Sequence, residues 1–259
     1  MSFVDVAGGR LHYRIDGDED APVLVLSNSL GTDHNMWSPQ MLELATRYRV
    51  LRYDTRGHGR SSTTPGPYTI EKLGRDVLAL LDALAIERVH FCGLSLGGMT
   101  GMWLGVHAAE RIDKLVLCNT TAKINAPGLY DARIEAVRSG GMRAVVDAVI
   151  GRWFTDDFIA RHDEHVAPVR VMLERSPPDG YIACCEAIRD MDQCEAISRI
   201  RLPTMVIAGT HDLPTPPADG RFIAAAIPGA GYVEFDAAHL SNIEAAPKFT
   251  AALIEFLAR

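Results

Sequence analysis

Hydrophobic residues fall into two alternating patterns along this chain. The first is a short, nearly unbroken apolar run: VLVLS from Val23, RVLRYD from Arg49, VHFCGLS from Val89, KLVLCN from Lys114, TMVIAGT from Thr204 and YVEFDAA from Tyr232. Runs of this length with little alternation read as strands buried on both faces. The second pattern spaces apolar positions three or four apart, as in residues 71–85, where Leu73, Val77, Leu80, Leu81 and Leu84 share one helical face. Further helical segments are expected to end near Tyr48, to run from about Gly98 to His107, and to begin near Pro217 and Glu244. Alternation of strand and helix predicts a mostly parallel sheet with helices on both faces. Ahead of it, FVDVAGGRLHYRIDG reads as a hairpin joined at Gly8–Gly9, which brings the strands to eight.

Residues 122–195 break this rhythm. They hold several helical stretches and no convincing strand, and they lie between the sixth and seventh strands. The chain therefore divides into an α/β core of residues 1–121 and 196–259 and a helical cap insertion of residues 122–195. With 259 residues, 47% of them hydrophobic, one large domain carrying such an insertion can bury a sizeable core.

A net charge of -7 argues against nucleic acid and anionic membranes as partners. An anionic substrate would need a local positive group working against that background. Five irregularly spaced cysteines suit reduced thiols and a cytoplasmic location. Cys184, Cys185 and Cys194 lack the paired C-x-x-C spacing of a zinc site, so no metal is expected. The N-terminus shows no basic flank followed by an apolar run, and no stretch approaches the ~20 apolar residues of a membrane span.

The sharpest chemical signal is VHFCGLSLGGM. Gly93-Leu94-Ser95-Leu96-Gly97 fits G-x-S-x-G between an apolar strand and a helix, the context of a strained nucleophile elbow. The alternative is a glycine-rich turn with an ordinary capping serine. A serine hydroxyl needs a base to take its proton, and the base needs an acid to orient it. In this architecture the order is Ser, acid, His. Asp212 in VIAGTHDLPTP and His239 in EFDAAHLSN both follow strands and so reach the sheet edge that carries Ser95. Asn119 carries no carboxylate, Asp236 lies at a strand end, His211 is expected to point away, and His58 in DTRGHGRSS to structure a turn. A tetrahedral oxyanion at Ser95 needs two backbone donors. One is expected from Leu96, after the nucleophile. The other is expected from Leu30 in SNSLG, the loop after the third strand.

Together YDTRGHGRSS, GLSLGG, GTHDLPTP and AAHLSN resemble the α/β-hydrolase superfamily, and the resemblance covers essentially the whole chain. LSNSLGTDHNMWSPQ and RWFT in the insertion resemble the β-ketoadipate enol-lactone hydrolases (3-oxoadipate enol-lactonases). That resemblance implies opening of a carboxylated five-membered enol-lactone to 3-oxoadipate, without metal or organic cofactor. Asn28 and Ser29 replace the usual His-Gly, either tying the loop down or reaching the ligand. The implied substrate carboxylate calls for an arginine from the insertion: Arg133 first, with Arg152 and Arg189 as rivals. Trp153 either closes the pocket above Ser95 or packs the insertion onto the core. The competing readings are a broader carboxylesterase, a carbon–carbon bond hydrolase, and a non-catalytic ligand receptor on the same scaffold.

Overall fold

Eight strands form one sheet in the computed structural model, which describes residues 2–259. They are β1 (Ser2–Val6), β2 (Gly9–Asp16), β3 (Val23–Ser27), β4 (Arg49–Tyr53), β5 (Val89–Leu94), β6 (Ile112–Cys118), β7 (Thr204–Gly209) and β8 (Gly231–Phe235). Their order is β1-β2-β4-β3-β5-β6-β7-β8. The β1–β2 and β2–β4 pairs are antiparallel, and every pair from β4 through β3 to β8 is parallel. The unbroken apolar runs are thereby explained: successive residues of β3 and β7 are buried, so both faces of these strands are covered, and Leu24, Val25 and Leu26 are fully buried.

The described residues also form eleven α-helices, nine between strands and two after the last: α1 (Ser38–Leu44), α2 (Ile70–Ala83), α3 (Leu96–His107), α4 (Pro127–Gly140), α5 (Val146–Trp153), α6 (Asp156–Arg161), α7 (Asp163–Arg175), α8 (Pro178–Asp190), α9 (Pro217–Ala226), α10 (Ser241–Glu244) and α11 (Ala246–Ala258). Helices α3 and α9 lie directly against the sheet and α2 packs on α3, while α1 packs on α11. Thr69 caps α2 by accepting the Lys72 N–H at 3.0 Å, so the helix starts at Ile70, one residue before its apolar pattern suggests. The hairpin also differs slightly from expectation. Val6 pairs with Gly9, so the turn is Ala7–Gly8, and it is Gly8 that takes a positive φ of 78°.

Parallel strands bring the chemistry to one edge. Ser29, Ser95, Asn119, Asp212 and His239 all follow the C-terminal ends of β3, β5, β6, β7 and β8, in that order. Helices α4–α8, between β6 and β7, sit over that edge. Their docking is close: a Cβ at Gly57 would lie 2.7 Å from Gly180 Cα, so neither residue tolerates a side chain. Nearby, Ser176 Oγ donates to Gly31 O at 3.1 Å, and Leu240 N–H donates to Trp153 O at 3.0 Å. Among the described residues no helix is long and apolar enough to cross a membrane.

Three imidazoles, His12, His58 and His90, are held below the ordinary histidine pKa, in each case chiefly by burial. The unfolded chain then binds more protons than the native one once the pH falls below about 6.5, so stability drops with acidification. Asp76, which is buried, and Asp219, which is half-buried, are shifted up chiefly by desolvation and act in the opposite sense at lower pH. The urea midpoint is therefore expected to be lower at about pH 5.5 than at about pH 7.5. A midpoint that is flat or rises over that interval contradicts this.

Candidate active site

The tight strand-to-helix turn at Ser95 is built by steric exclusion. Ser95 has φ 55° and ψ -111°, a conformation costly for a residue with a Cβ. The surroundings enforce it: Ser95 N–H donates to Cys118 O at 2.9 Å, and Ser95 O accepts from Thr120 Oγ1 at 2.8 Å and from Met99 N–H at 2.9 Å. A Cβ at Gly93 would sit 2.1 Å from Gly97 O, and one at Gly97 would sit 2.3 Å from Ser27 O. Both glycines of the motif are thus required by close backbone passage. The Ser95 hydroxyl does not cap α3, so the capping alternative falls.

Asp212 and His239 form a buried pair. His239 Nδ1 lies 3.0 Å from Asp212 Oδ1 and 2.9 Å from Oδ2. The carboxylate also accepts from Thr215 N–H at 2.9 Å, Thr215 Oγ1 at 2.8 Å and Asn119 Nδ2 at 2.9 Å. Four donors saturate its lone pairs and fix its orientation. Since a carboxylate only accepts, His239 carries its proton on Nδ1, leaving Nε2 available as a base. Among the described residues, neither Ser95 Oγ nor His239 Nε2 has a hydrogen-bond partner. Their mutual bond is not closed here; such contacts commonly tighten only when substrate is seated.

The backbone donors stand ready beside them. In the loop after β3, Ser29 N–H meets Met36 Sδ at 3.2 Å, Gly31 N–H meets His58 Nε2 at 2.8 Å, and Thr32 N–H meets Ser29 O at 3.2 Å. Leu30 N–H has no acceptor among the described residues. Neither does Leu96 N–H, the first amide of α3, whereas Gly97 N–H is taken by Asn28 O at 3.0 Å. Asn28 ties the loop down, donating to Tyr53 O at 2.7 Å and accepting from Trp37 Nε1 at 3.0 Å. Asp54 anchors the far end through the His34 amide and ring and also binds His12 and the Arg60 amide.

The insertion supplies the roof. Trp153 stacks on His239 with ring centroids 6.5 Å apart. Tyr181 is fully buried against Gly31; a Cβ there would lie 3.1 Å from its ring. Its hydroxyl has no hydrogen-bond partner, and neither has the buried Ser29 Oγ. Burial pushes the Tyr181 phenol up, and the positive charge of Arg133 pulls against it. Arg133 is half-buried, stands 5.1 Å over the Tyr130 ring, and has no carboxylate partner among the described residues. Arg189 differs, being bound to Asp131 at 2.9 Å and Asp190 at 2.7 Å.

A family model described as alpha/beta hydrolase fold matches residues 22–246. The chain belongs to the α/β-hydrolase family. It is 43% identical over 242 residues to 3-oxoadipate enol-lactonase 1 of Acinetobacter baylyi, covering 93% of this chain and 91% of that protein. The crystal structure of the enol-lactonase from Burkholderia xenovorans superposes with a TM-score of 0.98 at 49% identity, covering 100% of both chains. A thermophilic esterase from Thermogutta terrifontis gives a TM-score of 0.90 at 28% identity, covering 96% of this chain and 93% of that one.

Within this α/β-hydrolase the sequence and the structure can be compared residue by residue. Asp212 and His239 meet directly, and Ser95 and the Leu30 and Leu96 amides stand at the same sheet edge. Trp153 lies on the histidine ring. His211 points outward to the exposed Asp236, at 2.7 Å. Arg152 is half-buried, and its charge reaches Tyr130 together with that of Arg133. Asn119, set aside from the sequence for want of a carboxylate, holds Asp212 by donating to it, and neither Thr215, which also donates to it, nor Tyr181 is singled out by the sequence patterns. Cys184 and Cys185 are buried, and burial raises both thiols, Cys185 to about 12.

Proposed function

We propose that this protein opens a small carboxylated enol-lactone, 3-oxoadipate enol-lactone in the first place, to the open-chain oxo acid. Ser95 Oγ attacks the lactone carbonyl while its proton passes to His239 Nε2, and Asp212 steadies the resulting imidazolium. The oxyanion takes hydrogen bonds from the Leu30 and Leu96 amides. Collapse breaks the ring C–O bond. The enol oxygen leaves with the proton from His239, and the enol then tautomerises to the ketone. Water, deprotonated by His239, attacks the acyl-enzyme and releases a carboxylate and free Ser95. All of this needs only groups of the chain itself.

The observation that carries the substrate class is Arg133: a half-buried guanidinium beside the buried Tyr181, with no carboxylate partner among the described residues. A planar cation left in that state inside a net-acidic protein suits a ligand carboxylate. The names of the enol-lactonase relatives support the lactone itself. Arg133→Met is expected to raise KM for the carboxylated lactone about 10- to 100-fold, with kcat and the KM for neutral esters little changed. Steady-state kinetics on both substrates check this; an equal rise for the two would remove Arg133 from carboxylate recognition.

The esterase neighbour favours a second reading, a broader carboxylesterase. Loss of enol-lactone absorbance compared with hydrolysis of phenyl esters separates the two. Comparable kcat/KM on bulky neutral esters would defeat the lactonase assignment. If a fluorophosphonate failed to label Ser95 in the folded protein, the non-catalytic receptor would be favoured instead.

A further inference from the structure

His58 is completely buried, and none of the chemistry above uses it. Its protonation follows from its two partners. Nδ1 lies 3.3 Å from Arg56 O, and a carbonyl can only accept, so the proton sits on Nδ1. Nε2 lies 2.8 Å from Gly31 N–H, which can only donate, so Nε2 is bare. A second proton would set two donors against each other. Burial, the largest influence, keeps the ring neutral against the pull of Asp54 and Asp33.

The peptide planes of the loop give this contact its meaning. The amide of Leu30 belongs to the Ser29–Leu30 peptide, whose carbonyl accepts from Thr32 N–H at 3.2 Å and Thr32 Oγ1 at 2.8 Å. The next plane, Leu30–Gly31, is held by His58. An amide N–H points opposite its own carbonyl, so fixing both planes fixes the direction of the one N–H left without an acceptor. Local sequence alone does not enforce this arrangement: Gly31 sits at φ 80°, where a glycine can easily rotate away.

We propose that His58 is a positioning residue, a neutral imidazole acceptor that, with Thr32, aims the Leu30 amide at the oxygen of the reacting carbonyl. The inference rests on the acyl-transfer reading of Ser95. It does not depend on which ester or lactone is the substrate.

The test compares His58→Leu, which fills the space without an acceptor, with His58→Gln, whose Oε1 reaches the place of Nε2. Turnover of an aryl acetate and affinity for an alkylboronic acid, which adds to Ser95 as a tetrahedral anion, are measured for both. His58→Leu is expected to lower kcat about 10- to 100-fold with KM within about threefold, and to weaken boronate binding in parallel. His58→Gln is expected to recover most of both losses. If the Leu variant fails to fold, His58→Asn, too short to reach Gly31, takes its place against Gln. Full activity in the Leu or Asn variant overturns the inference, as does equal loss in the Gln variant, which would mark a packing role. An inert wild-type protein, unlabelled by fluorophosphonate, overturns the reading of Ser95 itself and this inference with it.

Discussion

Replacing Ser95 by alanine is expected to lower kcat about a million-fold while leaving the fold and substrate binding in place. The structure supplies the reason for both halves. The hydroxyl caps nothing and holds no neighbour, so its removal leaves no buried group unpaired. The unusual backbone at residue 95 is maintained by main-chain bonds to Cys118, Thr120 and Met99, which alanine preserves. What disappears is the group that, in the proposed reaction, bonds covalently to the carbonyl under the two free amides. Thermal unfolding should coincide with wild type, and equilibrium binding of the lactone to the variant should give a Kd near the wild-type KM. Turnover within about a hundredfold of wild type would mean that water attacks the carbonyl directly, with His239 as its base, and would remove the acyl-enzyme. Loss of binding together with activity would instead make Ser95 a ligand contact.

Much of this site is legible in the sequence because sterics leave few alternatives. Two glycines flanking a serine after an apolar run are demanded by backbone passing at about 2 Å from where a Cβ would stand. Asp212 and His239 are found because parallel strands deliver their following loops to one edge. The apolar runs give the strands directly, since β3 and β7 are covered on both faces. Asn119 and Thr215 are harder to see. Polar residues after strands are commonplace, and what singles out Asn119 is its positive φ of 45° and its reach to Asp212, neither written in residue types. Thr215 offers a fainter signal, standing three residues beyond the acid, where a side chain can turn back to it. The arginines illustrate a different limit. Arg133 and Arg189 occupy similar helical contexts in the sequence, yet Asp131 and Asp190 neutralise one and leave the other unpaired. Which of them is paired is decided by how α4 packs on α8, a tertiary contact that periodicity does not encode.

Asp212→Asn is the second large effect, and it separates orientation from charge. The four donors converging on Asp212 require a group that accepts on both oxygens. An asparagine amide must place its NH₂ toward one side. Facing the Oδ1 position it opposes the Thr215 N–H, which cannot reverse. Facing the Oδ2 position it opposes the Thr215 hydroxyl, which can turn, and the Asn119 amide, which can flip against the rotatable Ser241 hydroxyl at 2.5 Å only by giving up its bond to Ala238 O at 3.2 Å. The second arrangement is the accessible one; it sets an N–H donor at the position 2.9 Å from His239 Nδ1 and leaves only the oxygen at 3.0 Å to hold the Nδ1 proton. The ring then moves its proton to Nε2, where it blocks removal of the Ser95 proton. A loss in kcat of about 10⁴-fold follows, with KM nearly unchanged because no substrate contact is altered. Nitrogen chemical shifts of labelled His239 should show the proton moving from Nδ1 to Nε2 as the rate falls. A drop of less than about tenfold, or an unchanged tautomer alongside a large one, would show that Asp212 acts by another route. Because Asn119 and Ser241 must rearrange to admit the variant, the stability lost on Asp212→Asn should be smaller in an Asn119→Ala background than in wild type. Such non-additivity is expected only if the three side chains form one connected network.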